Sequence, residues 1–588
     1  MRMIMGASSV SAATTGNRPE APSDTGAPEL EQALAVLQER ATTFARAPLA
    51  EKVAWLREMG SRFRELAPRL VAATCLAKGV PLGSPLEGEE WVAAPVPIIR
   101  NLKQLADSLD QLRRTGAPRI ASERVSFSSH DRVTIEMTPH EWYDGLLYAP
   151  FRAKTWLAPG VDGTQLSQVQ AAFYKQRDPE GRVALVLGAG NVASIPVLDV
   201  IYKSFVEGAV CVLKMSPVNA YLGPIFELAL APLISRGFLR IVYGGPEVGA
   251  HLVAHPAIDE LHITGSLETH DRIVWGPAGA ERAARKKQGT PLFAKRVTSE
   301  LGNISPVLMV PGKYSDAELT TMARGLAGMV VQNASFNCNA AKMLITPKGF
   351  PQREALLTRL NAELAKIAPR EAYYPGAEAR YASLTKDAAH VTRIGDARPG
   401  QLPWTLITEL DPRSSAPQFS VEPFCSILSE VSVGSADPVE FLAEATEFAN
   451  ERLWGTLNAM LYVTPATERD ATLSKALERA LAELRYGTVA LNHWPAAGYA
   501  LATAPWGGHP SLSLADVQSG LGWVHNTLLF DAGAIEKTIQ RGPLRAFPAP
   551  PYFPGHRSLQ LLGRALADFE AAPSASGLAK VGYFAVRA

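Results

Sequence analysis

Val183-Ala-Leu-Val-Leu187-Gly-Ala-Gly190-Asn-Val-Ala-Ser-Ile-Pro-Val-Leu-Asp-Val200-Ile-Tyr-Lys-Ser-Phe-Val-Glu-Gly208-Ala-Val210-Cys-Val-Leu-Lys214 decides the fold. It holds a short apolar run, a glycine turn, an apolar helical stretch closed by Gly208, and a second apolar run. Strands covered on both faces read as continuous apolar runs, so this is one β-α-β unit. The pattern continues with a helix over 221–235 closed by Gly237, a strand at 239–243, a helix at 248–254 and a strand at 260–263. Strands alternating with helices predict a parallel sheet with right-handed crossovers, the pattern of the dinucleotide-binding fold.

Upstream, apolar residues recur at helical spacing from Glu29 to about Leu112, with a break at Gly79–Pro81, and strands follow at 123–128 and 132–137. Downstream, 297–300 and 306–310 read as strands and 319–330 as a helix. A second α/β block then runs to about Asn492: helix 352–366, strand 426–432, helix 438–448, strand 456–463, helix 467–482, strand 488–491. Two α/β domains place the site in the cleft between them. The proline-rich stretch 540–556 is expected to cross a surface in extended form.

Bulk composition narrows the function. The chain has 588 residues, 47% hydrophobic and 20% charged, with net charge +1. That suits a globular protein with more than one core and speaks against a nucleic-acid binder. The densest basic patch, Arg282, Arg285, Lys286 and Lys287, reads as a solvated loop. Four separated cysteines, Cys75, Cys211, Cys338 and Cys425, form no CxxC pair, which predicts no metal site and a reducing cytoplasm. No apolar run reaches the ~18 residues of a membrane span, and residues 1–27 read as a flexible tail without a signal-peptide core.

Three side chains carry candidate chemistry. Cys338 stands in Gln332-Asn-Ala-Ser-Phe-Asn-Cys-Asn-Ala340, among small and amide side chains just after a helix. The thiolate is the nucleophilic form, and backbone N–H groups and amides can favour it; a buried structural cysteine is the alternative. Glu300 closes an apolar strand in Ser299-Glu-Leu-Gly-Asn303, where a carboxylate can act as a base with raised pKa or simply be solvated. Asn191 follows Gly188-Ala-Gly190 at the ligand edge of the first strand. Its amide can donate to an oxyanion, or the residue can merely suit the turn.

Seven short elements in order, from about residue 180 to 525, resemble motifs of the aldehyde dehydrogenase superfamily. Glu300-Leu-Gly302 resembles its Glu-Leu-Gly-Gly, and the Cys338 element, 38 residues on, its catalytic-cysteine motif. Glu422-Pro-Phe424 resembles Glu-x-Phe-Gly-Pro. Val212-Leu-Lys214 resembles Val-Leu-Lys-Pro, Thr264-Gly-Ser266 resembles Phe-Thr-Gly-Ser, Pro505-Trp-Gly-Gly508 resembles Pro-Phe-Gly-Gly, and Ser519-Gly-Leu-Gly522 resembles Ser-Gly-x-Gly. The resemblance implies oxidation of a small-molecule aldehyde to an acid with NAD or NADP, through a Cys338 thiohemiacetal and thioester. It implies Cys338 as nucleophile, Asn191 and the Cys338 N–H as oxyanion donors, and Glu300 as the base that activates water. Cofactor contacts are implied at Lys214 and Ser216 for the adenosine ribose or a 2′-phosphate, Gly265 and Ser266 for the pyrophosphate, and Glu422 and Phe424 for the nicotinamide ribose and ring.

Departures from the family pattern carry expectations of their own. Pro-Trp-Asn is replaced by Ala189-Gly190-Asn191, which predicts a wider mouth. Asn303 replaces the second glycine after Glu300, and Cys425 and Ser426 replace Gly-Pro. Pro217 stands where NAD-preferring members often have Glu, so no carboxylate follows Lys214 to repel a 2′-phosphate. The resemblance also implies a homo-oligomer, dimer or tetramer, joined through 139–168, with 526–588 as an extension. The helical N-terminal region and dinucleotide domain then occupy 28–138 and 169–298, and the catalytic domain 299–525. Insertions stand at 276–295 and 511–518. Competing readings are a coenzyme A-acylating dehydrogenase, which Glu300 argues against, a non-catalytic scaffold, and a cofactor-free cysteine hydrolase.

Overall fold

The computed structural model describes residues 19–587; most of the expected tail, residues 1–18, lies outside the described residues. Four helices open the chain: Ala27–Ala45, Leu49–Ala77, Glu87–Ala93 and Pro95–Thr115. The first buries Leu30, Leu34, Leu37, Ala41 and Phe44, one stripe at three- and four-residue spacing, against the nucleotide-type sheet.

That sheet has five parallel strands, ordered Leu239–Val242, Val210–Lys214, Val183–Leu187, Glu260–Gly265, Arg296–Leu301. The first strand in sequence lies at its centre, and the chain winds outward first to one side and then to the other. The order therefore reverses between Val183–Leu187 and Glu260–Gly265, and a crevice opens beyond their C-terminal ends. Residues 188–191 and 265–266 stand at that crevice.

The second sheet has eleven strands. Its parallel centre runs Ile535–Arg541, Thr488–Leu491, Asn458–Tyr462, Pro306–Met309, Met343–Pro347, Ile427–Val433, Trp404–Leu410. An antiparallel arm, Val125–Phe127, Val133–Thr138 and Arg152–Leu157, attaches through Ile535–Arg541. The strands at 343–347, 404–410 and 535–541 are additions to the sequence reading. Met343–Pro347 is buried throughout and short, so periodicity could not separate it from the helical stretches around it.

The basic patch at 282–287 is not a loop. It lies in the helix Ala280–Gln288, where Arg282 pairs with Glu268 (2.7 Å) and Lys286 with Asp271 (2.6 Å). The proline-rich stretch runs through bends and turns rather than in extended form; after it, helix Leu559–Ala571 packs onto the N-terminal helices and Ala575–Ala585 packs against that helix. Gly88 and Gly563 permit this crossing, since a Cβ on Gly88 would lie 2.4 Å from Leu559 and one on Gly563 2.5 Å from the Trp91 Cβ. Buried Arg100 locks it, donating to Glu570 (2.9 Å), Asp144 (2.8 Å) and the Leu501 carbonyl (2.9 Å).

Candidate active site

Glu300 ends the edge strand of the five-stranded sheet, opposite Thr264. Its strand is held from the far side by the segment 519–521: the Leu301 N–H donates to the Ser519 carbonyl (2.7 Å) and the Ser299 N–H to that of Leu521 (2.8 Å). Gly520, at φ +116°, permits this approach, because a Cβ there would lie 2.0 Å from the Ser299 carbonyl oxygen. The Ser-Gly-Leu-Gly element is thus a backbone clamp on the strand that carries the carboxylate.

Cys338 comes from the other domain, just beyond the helix Asp316–Val331. Its thiol donates to Glu300 Oε1 at 3.1 Å. Asn191 Nδ2 donates to the Phe336 carbonyl (2.9 Å), two residues before the cysteine, and keeps a second proton to offer. The Cys338 backbone N–H has no hydrogen-bond partner among the described residues, whereas its carbonyl accepts from Lys342 Nζ (2.9 Å) and Ser305 Oγ (3.2 Å). Three remote stretches therefore converge on one point, with two donors uncommitted.

Burial sets the proton balance. Glu300 is 3% exposed. Its pKa is pushed up to about 7, chiefly by loss of water and then by the negative charge of Asp199; the Cys338 thiol and the Trp506 indole pull the other way. Burial also raises the Cys338 thiol well above its ordinary value, and the Glu300 charge adds to this against the nearby Lys342. The surroundings were expected to favour a thiolate. They favour a neutral thiol instead, chiefly because the sulfur is buried and then because the Glu300 charge faces it.

The loop before the cysteine is strained. Asn333, Ala334 and Ser335 have φ of +52°, +53° and +70°, conformations that cost about 1–3 kcal/mol each. A buried network holds them. Asn333 Nδ2 donates to the carbonyls of Asn191 (3.0 Å) and Phe336 (3.1 Å), and the Asn333 N–H donates to Glu89 (3.0 Å). Lys78 Nζ donates to Glu90 (2.9 Å), the Asn191 carbonyl (3.1 Å) and Asn333 Oδ1 (2.9 Å), and Arg370 pairs with Glu89 (2.7 Å). Lys78, Glu89, Glu90 and Arg370 escaped the sequence reading. The only local signal was the helix break at Gly79–Pro81, which reveals nothing about a partner 255 residues away.

The remaining candidates stand at strand ends, a helix start and a loop of the two domains. Lys214 ends its strand 9% exposed, and its ammonium has no partner among the described residues. Ser216 stands beside Gly190, where a Cβ would lie 2.6 Å from the Ser216 Oγ and 2.7 Å from the Val218 Cβ. That space is filled, so the wider mouth expected from the missing aromatic does not open there. Ser266 caps the helix Leu267–Trp275, accepting from the Thr269 N–H at 3.2 Å, with Gly265 just before it. Such a helix start suits a phosphate. Glu422 accepts from Lys342 Nζ (2.6 Å) and the Asn303 N–H (3.1 Å), and a Cβ on Gly302 would lie 1.8 Å from its Oε2. Phe424 packs with Tyr374 and Phe336, ring centroids at 4.9 and 5.9 Å. An unpaired buried ammonium, a capped helix start and a glycine-lined crevice together fit a nucleotide.

Comparison with known proteins gives matches of two kinds. The sequence model of the aldehyde dehydrogenase family matches residues 149–378. Betaine aldehyde dehydrogenase 2 of Rhizobium meliloti (strain 1021) is 28% identical over 219 residues, 36% of this chain; the aligned part spans 40% of that relative's length. In structure, the NADP-dependent glyceraldehyde-3-phosphate dehydrogenase of Bacillus halodurans C-125, complexed with NADP, superposes with TM-score 0.57 at 18% identity, covering 88% of this chain and 92% of that one. The salicylaldehyde dehydrogenase of Pseudomonas putida G7 gives 0.58 at 16%, covering 88% and 91%, and an NAD-dependent aldehyde dehydrogenase of Sinorhizobium meliloti gives 0.56 at 19%, covering 90% and 89%. At these identities the structural likeness speaks for the fold.

Proposed function

We propose that the chain is a member of the aldehyde dehydrogenase superfamily, a reading that the partial family match over 149–378 and the shared fold support, and that it oxidises an aldehyde to a carboxylic acid with NAD or NADP. The convergence of the Cys338 thiol, the Glu300 carboxylate and the Asn191 amide carries the reading. Bound NAD or NADP would supply the two-electron acceptor. Lys214, Ser216, Gly265, Ser266, Glu422 and Phe424 would hold it.

Glu300, with its pKa near neutrality, takes the thiol proton as Cys338 Sγ adds to the aldehyde carbonyl. The oxygen of the thiohemiacetal accepts from Asn191 Nδ2 and the Cys338 N–H. Oxidation of that adduct leaves an acyl thioester on Cys338. Once Glu300 has released that first proton to solvent, it takes a proton from water, the hydroxide adds to the thioester carbon, and the C–S bond breaks to release the acid and return the sulfur, which recovers its proton from Glu300. One carboxylate thus serves both half-reactions, which suits a pKa near the working pH better than an ordinary carboxylate value.

The aromatic group Phe336, Tyr373, Tyr374 and Phe424 beside the cysteine supports an aldehyde with an apolar or aromatic body. Phe127, Trp142 and Leu146, 65–69% exposed on and beside the antiparallel arm, support a dimer or tetramer formed through that arm. Cys75, Cys211, Cys338 and Cys425 are all unpaired, which supports a cytoplasmic setting. Absorbance of reduced nicotinamide, followed over an aldehyde panel with and without coenzyme A, tests the reaction. Turnover without coenzyme A is expected; strict dependence on it transfers the chain to the acylating class, and no turnover with any aldehyde overturns the reading. Light scattering on the eluted protein tests the assembly, and a monomer would refute it.

A further inference from the structure

In a dinucleotide-binding fold the adenosine ribose lies at the end of the second strand, where an acidic residue takes the 2′-hydroxyl and excludes a 2′-phosphate. Here that strand ends Lys214-Met215-Ser216-Pro217, with no acid in it. The structure brings one from elsewhere. The N-terminal segment crosses the sheet edge beside this strand: the Thr25 N–H donates to the Tyr243 carbonyl (3.0 Å) and the Tyr243 N–H to Thr25 Oγ1 (2.9 Å). The two strand ends are themselves tied, since the Met215 N–H donates to the Val242 carbonyl (3.0 Å). Asp24 is thereby set over the turn after Leu239–Val242, where a Cβ on Gly244 would lie 3.5 Å from its Cγ.

Lys214 is nine-tenths buried with an unpartnered ammonium, and Asp24 is exposed, with no ion pair or hydrogen bond among the described residues. The two charges sense one another: burial lowers the Lys214 pKa and the Asp24 charge partly restores it. Opposite charges near enough to interact but not closed into a pair can both bond to one group placed between them. Two vicinal hydroxyls do so, because each can donate to a carboxylate and accept from an ammonium. A phosphate satisfies the ammonium but meets the carboxylate as a like charge.

We propose that Asp24, carried in on the N-terminal segment, binds the adenosine ribose hydroxyls opposite Lys214 and selects NAD over NADP. The assignment rests on the nucleotide reading of the Lys214 edge. It replaces the expectation that no carboxylate is left to repel a 2′-phosphate.

The test is calorimetric titration of the full chain with NAD and with NADP, without aldehyde, for the wild type, Asp24→Asn and Asp24→Glu. The wild type is expected to bind NAD more tightly. Asp24→Asn is expected to shrink the NAD:NADP affinity ratio about tenfold, mainly by tightening NADP, as removal of one like charge near a phosphate dictates. Asp24→Glu should keep most of the preference. A wild type that prefers NADP, or an unchanged ratio in Asp24→Asn while both nucleotides bind, overturns the role of Asp24 alone. Absence of binding by either nucleotide overturns the nucleotide reading itself, and this assignment with it.

Discussion

The two walls of the cleft are built in opposite ways. The wall proposed to hold the nucleotide, called the nucleotide wall below, consists of strand ends and a helix start, shaped by residues next to one another in sequence: Gly188–Asn191, Thr264–Ser266, Ser299–Gly302. The cysteine wall is a loop with three consecutive left-handed residues, kept in place by side chains from Lys78 to Arg370. Regular backbone needs little outside help to present a ligand edge. A strained loop needs partners, and the chain takes them from distant helices because only buried charge and amide bonds are strong enough to hold it.

Breaking the cysteine wall at its centre should have the largest effect. Cys338→Ala should lower aldehyde turnover on the order of 10⁴-fold or more and leave nucleotide affinity, which is proposed to reside in the other wall, unchanged in the same titration. Loss of nucleotide binding in this variant would show that the walls are not separable.

Glu300 belongs to the nucleotide wall by backbone and to the cysteine wall by chemistry, so its replacement sharpens the contrast. Glu300→Gln should slow acid release by roughly 10²–10⁴-fold and abolish the acid limb of the rate profile near pH 7. Its pKa of about 7 lies above the ordinary 4.5, so the folded protein favours the protonated form. That contribution to stability is present below about pH 4.5 and is lost as pH rises through 7. Glu300→Gln should therefore melt higher than wild type at pH 8, by about 2–3 kcal/mol of stability, with no gain at pH 4. A gain independent of pH would count against the raised pKa.

Lys78 touches neither reacting atom. Lys78→Met should cut kcat by about 10²-fold through misplacement of the loop, with nucleotide affinity unchanged. It should also cost about 3–5 kcal/mol of stability by stranding Glu90. The double variant Lys78→Met/Glu90→Gln should recover much of the stability but not the rate; recovery of both would make the pair a folding element only. The smallest effect should come from the regular wall, where Ser266→Ala removes a helix cap worth about 1 kcal/mol. It should weaken nucleotide binding a few-fold and leave the rate of acid release from the thioester unaltered in single turnover.

Much of this molecule was legible because its elements are local. The buried strand Val183–Leu187 reads as a strand from five residues, and Gly208 and Gly237, both at positive φ, mark helix ends for the backbone reason that only glycine adopts that conformation without strain. The helix at 280–288 was misread because its polar sequence has no apolar stripe; it is held by ion pairs from Arg282 and Lys286 to the preceding helix. The neutral thiol was misread because composition around Cys338 shows which donors are near, not how deeply the sulfur is buried or which charge faces it.

The sequence by itself determined what depends on neighbours: the alternation of strands and helices, the glycine turns, and which cysteine, glutamate and asparagine belong to ordered motifs. Only the tertiary structure decided what depends on distance through space. It brought Asp24 to Gly244 at the sheet edge, Lys78 and Glu90 behind the cysteine loop, and a carboxylate close enough to the thiol to add to burial in raising the thiol's pKa. The physical reason is that backbone conformation is set mainly by adjacent residues, whereas charge interaction and desolvation depend on spatial separation and burial, which are fixed only when the whole chain has packed.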